Sequence, residues 1–229
     1  DIERVIHEIN EINEEFTELR IILSSREDSD PQINNYFNFP IFQIQPLKED
    51  QFKEFVNKYC DEKEDVAQNV FKVIDNQPSH LKTLFKKPLL LSRAIEVCKE
   101  RSKLPETEYG IIKAFIQRLL KREKEEKMDP KLDVSFFILI FSNVASEINK
   151  QYGLTNYPIS KYKFIMFITN SAKELGYGIS NEGMMSSDYI FRISYELEII
   201  SFENDDDVKF FHQSYLSFFN STYMKNQLG

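Results

Sequence analysis

The sequence predicts a mainly α-helical protein that ends in a β-hairpin, and three observations support this fold class. Apolar residues recur at helical spacing through most of the 229 residues, with charged residues between them. The chain has only six glycines, so few positions suit tight turns. Near the end, the apolar runs Ile199–Phe202 and Val208–Phe211 flank Asn204, Asp205 and Asp206, which is typical of a hairpin.

The first 45 residues combine a helical pattern with short strand patterns. Ile2–Phe16 has apolar residues near helical spacing and predicts a helix. Leu19–Leu23 is a short apolar run between polar residues, which predicts a strand buried on both faces, as in a parallel sheet. Arg26 follows at the carboxyl end of this strand, where open α/β sheets bind ligands. Phe42 and Ile44 alternate with polar residues and predict one more short strand.

From Pro46 the pattern becomes purely helical. Pro88 is predicted as the first residue of a helix, where its missing N–H group costs nothing. Thr107 is predicted as an N-cap, because its hydroxyl can accept a hydrogen bond from the first turn. The predicted helices of this part carry Phe52–Tyr59, Val66–Ile74, Leu81–Phe85, Leu89–Cys98 and Ile111–Leu120.

Met128-Asp129-Pro130 is the predicted boundary to a third part, which begins with a strongly apolar helix over Phe136–Ile148. A second helix is expected to be capped by Ser160 and closed by Gly176, and a third to start at Ser187 or Asp188. Three helices followed by a β-hairpin are the pattern of a winged-helix domain. The predicted domains are therefore residues 1–45, 46–128 and 129–229.

Composition narrows the function. The formal net charge of −8 argues against non-specific nucleic-acid binding. Two cysteines in a chain of this length favour buried thiols in a reducing compartment over a disulfide framework. No apolar run approaches the roughly 20 residues of a membrane span, and the N-terminus lacks the features of a signal peptide. We therefore expect a cytoplasmic protein that does not insert into membranes.

The common catalytic motifs are absent from the chain. It contains no GxxxxGK[ST] phosphate loop, no HExxH zinc motif, no GxSxG elbow and no GxGxxG loop. His7, His80 and His212 are scattered, without the spacing of metal ligands. Paired carboxylates are frequent, but they follow helix surfaces, as solvated faces do. The residues taken alone therefore predict no complete active site.

Three short motifs are uninformative one by one, but their order along the chain resembles that of a known family. They are Leu23-Ser24-Ser25-Arg26 after the predicted strand, Lys87-Pro88-Leu89-Leu90-Leu91 at a helix start, and Phe210-Phe211-His212-Gln213-Ser214-Tyr215 after the hairpin. Together they resemble the C-terminal part of the NACHT module of the STAND NTPases, the NLR-like signalling ATPases. That family carries Ser/Thr-Ser-Arg after a core strand, Pro-Leu-Leu-Leu in a helical lid, and Phe-x-His-x-Ser in a winged-helix domain. The resemblance extends from about Leu19 to Met224.

The chain departs from the family pattern at a few positions. Lys86 stands where the family often has a glycine two residues before the lid proline. Tyr215 replaces a phenylalanine, and Ser217 replaces a glutamate of the last helix. The Walker A and Walker B segments are not in the sequence, and the resemblance implies that they lie upstream of Asp1.

The resemblance implies a nucleotide switch that takes ATP or ADP. In it, Arg26 reaches the γ-phosphate, Pro88 packs against the adenine and ribose, and His212 bonds the β-phosphate of ADP from the winged-helix domain. The remnant of a phosphate-loop α/β domain, the lid and the winged-helix domain would close over the nucleotide. The missing N-terminal half would supply the Mg²⁺ site, so the chain alone is expected to be inactive as an ATPase. The usual function of the family implies that the protein forms homo-oligomers on activation and acts in innate-immune or antiviral signal transduction.

Two other function classes fit parts of the sequence. A winged-helix nucleic-acid binder would place recognition on the helix around 161–175, with Lys161, Lys163 and Lys173 as phosphate contacts. The acidic balance and the four carboxylates of Glu203–Asp207 at the wing tip make nucleic acid an unlikely partner. A helical protein-interaction module without any nucleotide is the third possibility.

Overall fold

The computed structural model describes residues 2–16, 18, 20, 42, 44–101, 103–127, 132–176 and 186–228. In these residues the protein is mainly helical, with one small three-stranded antiparallel sheet. The predicted fold class is thereby confirmed at the level of a mainly α protein. The chain forms two compact units, Asp1–Gln45 and Pro46–Gly229.

The first unit contains helix α1, Ile2–Glu15, as predicted. The predicted strand lies outside the described residues except for Arg20, and Ser24-Ser25-Arg26 lies outside them entirely. The short strand predicted at Phe42 and Ile44 is wrong, because both residues are in irregular backbone. Their side chains are 89% and 96% exposed, so no packing surface supports an extended pairing there.

The second unit begins with five helices, which are together called the helical layer here. Thr107 caps the last of them, since its side-chain oxygen accepts a hydrogen bond from Gly110 N at 3.0 Å. Pro88 is the first helical residue of the fourth, as its fixed φ favours. The helices are α2 Glu49–Tyr59, α3 Glu64–Asp75, α4 Ser79–Leu84, α5 Pro88–Cys98 and α6 Glu108–Glu126.

The C-terminal part alternates helices with three short strands. Ser160 caps its second helix, and Gly176 follows that helix with φ +81°, as the sequence predicts. The hairpin is also confirmed. The elements are α7 Val134–Tyr152, β1 Ile159–Ser160, α8 Lys161–Glu174, α9 Ser187–Glu196, β2 Ile200–Phe202, β3 Asp207–Phe210 and α10 Gln213–Leu228.

Strand β3 is central in the sheet, whose order is β1-β3-β2. Ile159 lies opposite Val208 across the β1–β3 pair, and Ile200 lies opposite Phe210 across the β2–β3 pair. Both pairs are antiparallel. Strand β1 was not predicted, because two residues are too few to display an alternating pattern.

Aromatic side chains fill the core between the sheet and helices α7, α8 and α10. The Phe141 ring is 5.4 Å from that of Phe219 on α10 and 6.1 Å from those of Phe164 and Phe210. All four side chains are fully buried. Ring pairs at these separations add to the free energy of burial. This core fixes the position of β3 and of the start of α10.

Helix α10 packs along α7 and also contacts α6 of the helical layer. The Tyr109 hydroxyl lies 3.0 Å from Thr222 Oγ1, and the Tyr109 ring lies 5.0 Å from Phe218. Because Thr222 Oγ1 donates to the Phe218 carbonyl, the tyrosine hydroxyl donates to Thr222. The two sides of the predicted boundary at residue 128 are therefore in direct contact, and the boundary itself stays a prediction.

Within the described ranges, none of the helices combines the length and apolar character that crossing a bilayer requires.

Candidate functional site

The joint between β3 and α10 carries His212. Phe210 ends the strand with its ring fully buried, whereas Phe211 is 41% exposed, as expected where side chains alternate. Helix α10 starts at Gln213. Phe211 N donates to the Ile199 carbonyl at 3.0 Å, so the neighbouring strand region supports the backbone one residue beyond β3.

His212 occupies the N-cap position of α10. Its Nδ1 accepts a hydrogen bond from Ser214 N at 3.1 Å, and Ser214 Oγ lies 2.9 Å from the same nitrogen. Tyr215 N donates to the His212 carbonyl at 2.9 Å. A backbone N–H group can only donate, so Nδ1 carries no proton in this arrangement. The neutral imidazole therefore holds its proton on Nε2, which makes that atom a hydrogen-bond donor.

This donor lies at the amino end of a helix of 16 residues. Unpaired N–H groups and the helix dipole make such an end favourable for negative charge. The half-buried imidazole adds a side-chain donor to that environment. The chemistry of the joint therefore suits a hydrogen bond to an anionic oxygen, and it requires no catalytic role for the histidine.

The loop between α7 and β1 is bonded to the same joint. Asn156 Nδ2 donates to the Phe210 carbonyl at 2.8 Å, and Gln213 Nε2 donates to the Leu154 carbonyl. Asn156 is only 6% exposed and has φ +49°, a left-handed conformation that asparagine tolerates better than most residues. The loop is thus fixed on both sides of His212.

Pro88 lies at the exposed amino end of α5. Lys87 precedes it in extended backbone, and the Lys86 carbonyl accepts a hydrogen bond from Leu47 N at 2.9 Å. The lysine side chains beside the proline, together with Lys82, are exposed, as a solvated face predicts. The proline ring is therefore available on the surface at a helix start.

Arg93 connects the helix of Pro88 with the helix that follows His212. Its guanidinium carbon lies 4.3 Å from the ring centre of Phe115 and 5.9 Å from that of Tyr215. Burial raises the pKa of Tyr215 to about 12, and the positive charge of Arg93 opposes that rise. A helix rises about 1.5 Å per residue, so Pro88 is roughly 7 Å from Arg93 along α5. By the same measure, His212 is about 5 Å from Tyr215 along α10.

Two clefts of the described residues lie away from Pro88 and His212. One cleft of about 380 Å³ lies between the α3–α4 turn and the connector at Leu104, and one of about 330 Å³ lies at the hairpin tip around Asn204. Neither is lined by Pro88 or His212. In the described part of the chain, no three His, Cys, Asp or Glu side chains could hold a metal ion together. The assignment of a functional site to the joint between β3 and α10 therefore depends on the geometry of the His212 imidazole.

The structure brings two of the three residues selected by the sequence onto helices joined through Arg93, while Arg26 lies outside the described residues. The sequence analysis did not single out Arg93 or Asn156, and it gave Gln213 no role beyond its place in the motif around His212. A signal existed for Asn156, because Gly153, Asn156 and Pro158 mark a turn-rich stretch. Arg93 and Gln213 gave none, since their partners are remote in sequence.

Comparisons of the chain with protein-family models, curated proteins and solved structures return no match.

Proposed function

We propose that the chain is the regulatory back half of a nucleotide-switched signalling ATPase of the NACHT and STAND kind. In this proposal it acts in the cytoplasm, in innate-immune or antiviral defence. Its helical layer and its C-terminal part close over ADP, and exchange for ATP opens them so that copies of the protein associate. An N-terminal half with the phosphate loop supplies the Mg²⁺ site and the hydrolytic groups.

One observation carries the proposal. The His212 imidazole is held through Nδ1 in the tautomer that donates from Nε2, at the amino end of α10. A phosphate oxygen is the complementary acceptor, and a helix amino end favours its charge. The motif that led to His212 thus has a local geometry that suits the role the resemblance implies.

The arrangement of elements gives secondary support. The C-terminal part runs helix, strand, helix, helix, strand, strand, with β3 central in the sheet. This order agrees with a winged-helix domain that follows a helical lid. Pro88 begins helix α5, which is the position that the resemblance gives to the lid proline.

The chain's own residues would hold the nucleotide without any covalent step. His212 would donate to the β-phosphate of ADP, Pro88 would pack on the adenine and ribose, and Arg26 would pair with the γ-phosphate of ATP. The differential affinity of the nucleotide for the closed and open arrangements would set their populations. A hydrogen bond to a charged group is worth about 1.5–3 kcal/mol, comparable to typical allosteric coupling of ~1–3 kcal/mol.

Two of the three lysines named for nucleic-acid binding have contacts within the protein. Lys163 Nζ bonds the Tyr152 hydroxyl at 2.5 Å and lies 4.9 Å from its ring centre. Lys161 Nζ lies 5.5 Å from the Phe191 ring centre, although Lys161 is exposed, as is Lys173. The acidic wing tip is therefore the feature that argues against the nucleic-acid alternative.

The test separates the capping role of His212 from its phosphate role. In the full-length protein, His212→Ser keeps a side-chain oxygen that can cap α10 but cannot reach as far as Nε2. We expect ADP affinity, measured by isothermal titration calorimetry, to fall about tenfold or more, because the lost bond is worth ~1.5–3 kcal/mol.

The control is His80→Ser, which changes an exposed histidine on α4 and should leave ADP affinity unchanged. Thermal unfolding of both variants checks that the fold is retained. Equal ADP affinity in His212→Ser and the unmodified protein would contradict the phosphate role. Failure of the unmodified protein to bind ADP would favour the helical interaction module instead.

A further inference from the structure

The loop before β1 is bonded to the joint that follows β3. Ile159 pairs with Val208 and Ser160 with Asp207, and Lys161 N donates to the Asp206 carbonyl at 2.7 Å. On the other side of this pair, the loop contacts the joint through the side chains of Asn156 and Gln213. The two segments are therefore in direct contact at the joint.

Side-chain amides make the hydrogen bonds between the two segments. Asn156 donates to the Phe210 carbonyl and Gln213 donates to the Leu154 carbonyl, so one bond runs from the loop to the joint and the other from the joint to the loop. The bonded residues of the joint, Phe210 and Gln213, lie two residues before His212 and one residue after it. Gln213 Oε1 is buried and has no hydrogen-bond partner among the described residues. Because such an unsatisfied atom is costly, the contribution of this amide to the joint lies in its Nε2 contact.

We propose that Asn156 and Gln213 are positioning residues for His212. Resting on the proposed function, this inference assigns the loop a part in orienting the imidazole toward the phosphate. The backbone of residues 210–213 is fixed by the loop on one side and by the Ile199 carbonyl on the other. The Ser214 N–H bond to Nδ1 connects the imidazole to this backbone.

The alternative is that the loop bonds only stabilise the fold. A double-mutant cycle separates the two, because a residue that acts through His212 loses its effect once His212 is gone. Asn156→Gly removes the amide yet keeps the left-handed backbone easy to adopt. Thr107→Ala serves as a matched control, since it weakens a remote helix cap without touching the joint.

ADP affinity of the full-length protein is measured for Asn156→Gly, His212→Ser, the double variant and Thr107→Ala. We expect Asn156→Gly to weaken ADP binding about three- to tenfold in the unmodified protein and to cause no further loss of affinity in the His212→Ser variant. Thr107→Ala should leave ADP affinity unchanged. The positioning role alone would be overturned if Asn156→Gly still weakened ADP binding in the His212→Ser variant, or if His212→Ser weakened binding and Asn156→Gly did not.

A second readout does not depend on nucleotide. The ring-nitrogen shifts of His212 in the chain are recorded by ¹H–¹⁵N NMR and assigned by their loss in His212→Ser. We expect the Nε2-protonated tautomer in the unmodified chain and in Thr107→Ala, and a mixture of tautomers in Asn156→Gly. Unchanged ring-nitrogen shifts in Asn156→Gly would overturn this inference, whatever the ADP measurements show. Intact ADP affinity in His212→Ser would separately refute the proposed function.

Discussion

Tyr215 is a buried aromatic residue of α10 that lies beside Arg93 of α5. Its side chain is 1% exposed, and the Arg93 guanidinium carbon lies 5.9 Å from its ring centre. A cation close to a buried aromatic ring adds to the stability that burial provides. The contact therefore links α5 to α10 directly.

Tyr215→Phe is expected to lower the free energy of unfolding by about 0.5–1.5 kcal/mol at pH 8, because it removes the polar hydroxyl near the Arg93 charge while the ring stays in place. Burial raises the pKa of Tyr215 to about 12, above the value near 10 of an unfolded tyrosine. Between pH 10 and 12 the unfolded state releases a proton that the folded state keeps, so stability falls as pH rises. The difference in free energy of unfolding between Tyr215→Phe and the unmodified protein should therefore shrink, or change sign, above pH 10.

Urea denaturation at pH 8 and pH 11 measures this difference. Tyr195→Phe is the matched control, since its side chain is half exposed and should change stability little at either pH. A deficit of Tyr215→Phe that stays constant from pH 8 to pH 11 would show that burial of the phenol does not hold its pKa above the unfolded value.

Among the helices, the start of α6 depends on a close contact at Gly110. A Cβ atom at this position would lie 2.6 Å from Pro105 Cβ and 3.0 Å from the Thr107 Oγ1 that caps the helix. Helix propensity favours alanine over glycine by about 1 kcal/mol, whereas overpacking costs about 1–3 kcal/mol. The steric term outweighs propensity here because the ring carbon belongs to a rigid proline.

Gly110→Ala is accordingly expected to destabilise the protein by roughly 1 kcal/mol, although propensity alone predicts a gain. The free energy of unfolding from urea titrations is the measurement. Lys113→Ala, on an exposed position of the same helix, is expected to change it by less than about 0.5 kcal/mol. A stabilised Gly110→Ala would mean that the connector yields at Pro105.

Across the whole molecule, contacts join the helical layer to the C-terminal part. Tyr109 bonds Thr222, Arg93 lies beside Tyr215, and Lys127 Nζ pairs with Glu196 at 2.8 Å. The first two of these contacts are substantially buried, and both sides contribute to one compact unit. Parts that share a core in this way are expected to unfold together.

Thermal unfolding of the chain is therefore expected to show one main transition, with equal calorimetric and van't Hoff enthalpies. Tyr109→Phe removes one hydroxyl of the contact between α6 and α10 and should lower the midpoint while leaving the transition single. Two separated transitions in the unmodified chain would support independent folding on either side of residue 128.

Local physics explains what could be predicted. Thr107, Ser160 and Gly176 act within a turn of their own helices, and Pro88 starts a helix through its own φ angle. Where a pattern was short, prediction failed, as at Phe42 and Ile44. The His212 cap also acts over two residues, but histidine is not among the residue types that normally signal an N-cap.

The sequence by itself determined the order of helices, the hairpin and most caps, because these depend on neighbours within a few positions. His212 and Pro88 were selected by the resemblance, which rests on the order of distant motifs. Only the tertiary structure decided which segments meet. Asn156 and Phe210 are 54 positions apart, and Tyr109 and Thr222 are 113 apart. Such contacts depend on how α10 packs against α6 and α7, so no local pattern encodes them.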